Sequence, residues 1–191
     1  MLSDTDSPAT ARQLTKFEGP FVGSPRWSAN GDFVAFDSTR SGSENIGSFN
    51  IWVVAGDGTG VRQITDDSSI NVRPSWSRDG RWIYYSSGRS SDLQDLQIRK
   101  VLASGGAPVQ VTKNGGGREA FESPDGKHLY YAKPETLPGI WRVPVDGGDE
   151  VQVIDHGMQG WWAVIDGGIV LMNKQARPQA TVEYFISMLP G

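Results

Sequence analysis

The chain has 191 residues, and its 24 glycines and 11 prolines are a share of turn formers too high for a helical bundle. Seven tryptophans and a hydrophobic content of 37% allow a sizeable core and exclude wholesale disorder. A formal net charge of −4 removes the broad positive field of nucleic-acid and anionic-membrane binders, and the absence of cysteine excludes thiol catalysis, disulfides and cysteine-bound zinc together.

Residues 1–11 are polar and read as a disordered tail without the apolar core of a signal peptide. The longest aliphatic run, Ile169 to Met172, is far short of a span, so no membrane insertion is expected. The expected location is cytoplasmic, or periplasmic if an export signal precedes the chain. Arg12-Gln13-Leu14-Thr15 is the first short strand. A turn follows at Pro25-Arg26-Trp27-Ser28-Ala29-Asn30-Gly31, then apolar strands at Phe33 to Phe36 and Ile51 to Val54, a hairpin turn at Asp57-Gly58 and a closing strand, Arg62-Gln63-Ile64-Thr65. The same order returns with Pro74-Ser75-Trp76-Ser77-Arg78-Asp79-Gly80, Trp82 to Tyr85, Ile98 to Val101, Gly105-Gly106 and Val109 to Thr112. It returns once more with Ala120-Phe121-Glu122-Ser123-Pro124-Asp125-Gly126, His128 to Tyr131, Ile140 to Val143, Asp146-Gly147-Gly148 and Val151 to Ile154. A last, incomplete unit offers Trp161 to Val164, Asp166-Gly167-Gly168, Ile169 to Met172 and Val182 to Ile186.

Four short strands recurring every 42 to 50 residues, apolar on both faces, predict an all-β fold, a β-propeller of four-stranded antiparallel blades. The blades are expected at about 21–65, 71–112, 118–154 and 161–188, with 12–16 supplying the fourth strand of the last, so that 12–191 is one repeat domain. A closed four-blade ring and an open arc of a larger propeller both satisfy this count.

The two Pro-x-Trp-Ser-x-(Asn/Asp)-Gly copies, the variant Phe121-Glu122-Ser123-Pro124-Asp125-Gly126 and the Ile-Trp-x-Val frames resemble the TolB-like, WD-type β-propeller repeat, most strongly over 12–154. More closely, Phe17 to Trp162 is similar to the C-terminal propeller of bacterial winged-helix transcriptional regulators, although no winged-helix head is present. The resemblance implies a non-catalytic, sensory or scaffolding module that binds a protein or peptide partner, with a small ligand as a further option and no direct nucleic-acid binding. Similar propellers also control access to serine peptidase domains or act as periplasmic envelope scaffolds, and these settings stay open.

Candidate binding residues come from the loops that vary between copies and from the innermost strands. Arg73, Arg118, Glu119 and Glu122 are expected to converge near the central channel on the rim that carries the variable loops. Glu122 stands where Trp27 and Trp76 stand in the other copies; a carboxylate there is either a ligand or metal contact or a salt bridge to Arg73 or Arg118. Arg40 and Arg89 sit at equivalent places after the second strand, for inter-blade pairing or for an anionic partner, and Trp161 or Trp162 is expected at the rim. No catalytic residues, metal site or cofactor are predicted. His128 reads as a strand residue, His156 has no ligand partner at useful spacing, there is no Gly-x-Ser-x-Gly elbow, and Gly115-Gly116-Gly117 lacks the Lys-Ser/Thr of a phosphate loop.

Overall fold

A computed structural model describes residues 12–16, 21–39, 49–89, 95–134, 136–156, 160–173 and 181–186. Fifteen strands among them form four antiparallel sheets. Blade 1 holds β1 (Phe21–Trp27), β2 (Phe33–Thr39), β3 (Asn50–Ala55) and β4 (Arg62–Gln63); blade 2 holds β5 (Ile70–Trp76), β6 (Trp82–Gly88), β7 (Gln97–Leu102) and β8 (Val109–Gln110). Blade 3 holds β9 (Arg118–Glu122), β10 (His128–Ala132), β11 (Ile140–Pro144) and β12 (Val151–Ile154), and blade 4 holds β13 (Trp162–Ile165), β14 (Gly168–Asn173) and β15 (Thr181–Ile186). The propeller expected from the repeat is the fold observed.

Each repeated turn closes on itself. The Ser28, Ser77 and Ser123 hydroxyls donate to Asn30, Asp79 and Asp125 at 2.7, 2.6 and 2.5 Å, and accept the N–H of Phe33, Trp82 and His128 at the head of the next strand. Gly31, Gly80 and Gly126 take φ of 77°, 69° and 70°, a left-handed conformation that glycine adopts without a Cβ penalty. The Ser77 and Ser123 hydroxyls, with the Arg81 and Lys127 N–H groups, hold the Asp79 and Asp125 carboxyls below the usual carboxylate range.

Alternation along the second strands explains why they lack a polar face. Ile83 and Tyr85 pack toward Ala35, Ile51 and Val53 of blade 1, while Tyr84 packs with Ala120, Leu129 and Val143 of blade 3. Tyr130 and Ala132 in turn face Trp162, Ile169 and Leu171 of blade 4. Blades 2 and 3 are thus buried from both sides by their neighbours, which is the main source of stability for a stack of blades.

Residues 12–16 depart from the expectation that they complete blade 4. They form no strand, and the sheet of blade 4 has three strands among the described residues. The segment lies along blade 1 instead: Arg12 Nη2 donates to Gly56 O at 2.8 Å, and Leu14 packs on Val34, Phe36, Trp52 and Val54. These are the contacts an outer strand makes with the blade that follows it, since Arg62 Nη2 donates to Ala103 O in the same way at 2.5 Å. The local bond from Gln13 Nε2 to Thr15 O likewise repeats those from Gln63 to Thr65 and from Gln110 to Thr112. The expected tail, residues 1–11, lies outside the described residues.

Candidate functional site

The innermost strands β1, β5 and β9 share an irregularity. In each, the pairing with the second strand shifts register, and at the shift Ser24, Arg73 and Glu119 carry φ of 47°, 57° and 49°. Three non-glycine residues at one repeat position in the left-handed region mark a bulge built into the blade, and bulges re-aim side chains. The strain is held by partners on the preceding blade. The Arg73 N–H donates to Asp37 Oδ2 at 2.8 Å, and the Glu119 N–H donates to Ser86 Oγ at 3.1 Å. Asp37 and Ser86 occupy equivalent places, one residue after Phe36 and Tyr85, and both are buried.

Side chains extend this bolt around the channel. Glu119 is 7% exposed; its Oε2 accepts the Gly160 N–H at 2.6 Å and stands 4.0 Å from Arg73 Nη1. Asp37, Arg73, Glu119 and Gly160 therefore link blades 1, 2, 3 and 4 in succession. The structure brings Arg73 and Glu119 together as the sequence suggests.

Glu122 belongs elsewhere. About 10 Å farther along β9 at the rise of a strand, it lies beside the repeated turns rather than the variable loops. It is 8% exposed: Oε1 accepts the Tyr84 hydroxyl at 2.9 Å and Oε2 accepts the Arg78 backbone N–H. The expected salt bridge to Arg73 or Arg118 is replaced by neutral donors, because the facing surface of blade 2 presents a tyrosine and a turn amide at that level. Burial, followed by the nearby Glu122 charge, raises the Tyr84 hydroxyl far above its usual value.

At this end the channel opens as a cavity of about 190 Å³. Arg26 and Trp27 of blade 1, Trp76 and Arg78 of blade 2, Phe121 of blade 3 and Val164 of blade 4 line it. The Arg26 guanidinium crosses the axis to stand 5.7 Å from the Phe121 ring centroid, and Phe121 meets Trp162 edge-on at 4.9 Å. The mouth thus combines aromatic walls with the Glu122 carboxylate and two guanidinium groups, the second of which, on Arg78, points toward Asp166 at 3.9 Å. Sequence reading overlooks Arg26, Arg78 and Phe121, since each fills a variable position of its repeat; Asp37 and Ser86 left a signal, each being the first polar residue after the apolar run of the second strand in its copy.

The remaining candidates are not gathered into one site. Arg118 is half-buried at the start of β9, Arg89 is exposed just after β6, and Arg40 lies outside the described residues, as do most of the loops that carry Arg40 and Ser90 to Gln94. Trp161 stands in solvent, 57% exposed, while Trp162 turns inward at 7%. His156 pairs with Asp155 at 2.6 Å, which lowers the Asp155 carboxyl, and no group of three His, Asp or Glu residues that could hold a metal occurs among the described residues. No helix among them is long and apolar enough to cross a membrane.

Comparison with known proteins places this geometry in context. The family model described as the TolB beta propeller domain matches residues 2–183. The chain is 38% identical over 73 residues to the Tol-Pal system protein TolB of Desulfosudis oleivorans, covering 38% of this chain and 15% of that protein. It is 31% identical over 119 residues to dipeptidyl-peptidase 5 of Porphyromonas endodontalis, covering 61% of this chain and 17% of that protein. The crystal structure of TolB from Acinetobacter baumannii superposes with a TM-score of 0.71 at 17% identity, over 88% of this chain and 41% of that one, a likeness of fold. The chain thus spans under a fifth of the length of the curated relatives it matches.

Proposed function

Because the chain belongs to the TolB beta propeller domain family, we propose that it is a non-catalytic binding module whose channel mouth receives a peptide segment of a protein partner. The observation that carries this reading is the cavity to which all four blades contribute, with Arg26 held across the axis against Phe121. Aromatic walls bury an apolar side chain, and the two guanidinium groups favour an acidic neighbour on the same segment. A rigid stack of sheets suits this task, since little order has to be created on binding.

Selection of peptides from a random library on the immobilised protein, followed by titration of the chosen peptides, tests the proposal. Phe121→Ala is expected to weaken them about tenfold, as loss of a central aromatic anchor does. Peptides that bind Phe121→Ala and the unaltered protein alike would place recognition elsewhere.

A second reading, an access-controlling propeller beside a peptidase domain, is favoured by the match to dipeptidyl-peptidase 5. It predicts that a longer product of the same reading frame cleaves dipeptidyl arylamides while residues 1–191 alone do not. A sensory role in a transcriptional regulator is a third setting for the same binding chemistry, and the relatives named above lend it no support.

A further inference from the structure

The repeat fills the cleft between blades 1 and 2 with an aromatic pair and leaves the cleft between blades 2 and 3 open. In the first cleft Trp76 stacks on Phe33, with centroids 6.4 Å apart, and its Nε1 donates to Arg26 O at 3.0 Å. In the second, the place of Phe33 is taken by Trp82 and that of Trp76 by Glu122, whose carboxylate bonds to Tyr84 and Arg78 of blade 2 but supplies no ring to stack on Trp82. The result is a cleft of about 380 Å³ with Trp82 in its wall and both Tyr84 and Glu122 in its lining.

The charge in this cleft is unbalanced at its deepest point. Glu122 is more than nine-tenths buried and accepts hydrogen bonds from neutral donors, the Tyr84 hydroxyl and the Arg78 amide. The two cations of the lining are engaged with other groups. Lys100 Nζ donates to Val145 O at 2.7 Å and sits 4.9 Å from the Trp82 ring centroid, and the Arg78 guanidinium turns to Asp166. Asp79, Asp125 and Asp146 stand around the opening. A buried carboxylate without a cation is costly, and one beside an aromatic wall in a cavity of this size is a receptor for a positive charge on an apolar stem.

We propose that this cleft binds an alkylammonium group, its nitrogen on the Glu122 carboxylate and its methylene stem along Trp82. The cleft meets the channel mouth at Ser77, Arg78 and Glu122, which line both, but ammonium binding on the Trp82 side does not require a peptide in the mouth. The same ammonium chemistry is carried by free amines and by lysine side chains of a partner. Titration of the protein with 1,4-diaminobutane and with an N-acetyl, C-amidated Gly-Lys-Gly peptide, followed by chemical shifts of the tryptophan indole N–H groups, distinguishes the two sources. Saturable binding of either probe is expected, weakened at least about tenfold by Glu122→Gln, which removes the charge and keeps the shape. Lys100→Met removes the competing internal ammonium and is expected to tighten binding; it also serves as the test should Glu122→Gln fold poorly. Saturation by the diamine alone assigns a free amine, and saturation by the peptide assigns a lysine side chain. The absence of saturation by both probes, equal affinity in Glu122→Gln, or weaker binding in Lys100→Met would overturn the assignment.

Discussion

Asp37 of blade 1 reaches across to Arg73 of blade 2, where its Oδ2 accepts, at 2.8 Å, the N–H of a residue held at φ 57°. The contact joins a buried carboxylate to a strained backbone, so either group loses its justification without the other. Ser86 and Glu119 repeat the arrangement one blade later.

Asp37→Ala therefore leaves a buried amide without an acceptor at a left-handed residue. A loss of about 1–3 kcal/mol is expected in urea unfolding, with Asp37→Asn recovering most of it because its amide oxygen can still accept. Gly23→Ala should reproduce part of the loss, since a Cβ there would come within 2.8 Å of Asp37 Oδ1 and push the carboxylate off the bolt.

Lys133 and Glu150 make a second, buried link, 2.8 Å apart with side chains 3% and 6% exposed. The ammonium stands 3.9 Å from the Trp141 ring centroid and also donates to Asn114 O at 2.7 Å. Burial disfavours the Glu150 charge, but the Lys133 ammonium and the N–H groups of Lys113 and Asn114 outweigh it and hold the carboxyl below its usual value. A lowered carboxyl stabilises the fold above the unfolded value, about 4.5, and that contribution fades as pH falls through the folded value. Unfolding free energy measured against pH should decline below about pH 4.5. Lys133→Met should cost about 3–5 kcal/mol at pH 7 by stranding the carboxylate, and its deficit should shrink in acid.

The adjacent tryptophans Trp161 and Trp162 should part in their effects. Trp161→Ala is expected to change stability by less than about 0.5 kcal/mol, and Trp162→Ala to cost about 3–5 kcal/mol. Thermal denaturation of the two variants reads both. Similar losses in the two would contradict their opposite facing.

How far the sequence speaks depends on whether a feature is made within a repeat or between repeats. The turns are legible because serine, Asn or Asp, and glycine each perform a separate task inside seven residues, and those tasks recur in three copies. The strands are legible because both faces are apolar. The destination of Arg12 to Lys16 is not: the repeat match assigns them to the last blade, whereas the contacts observed run to blade 1. Glu122 is conspicuous as a charge in a tryptophan's place, yet its partners Tyr84 and Arg78 come from the lateral fit of two blades. Arg26 and Phe121 meet across the axis from repeats nearly 100 residues apart, a relation that no local pattern carries.

The most direct test is calorimetric titration of a library-selected peptide into the unaltered protein and into Arg26→Ala. Removing the guanidinium from the channel mouth should weaken the peptide about tenfold while the unfolding midpoint stays within a few degrees. An unchanged dissociation constant in Arg26→Ala, with the protein folded, would contradict recognition at the channel mouth.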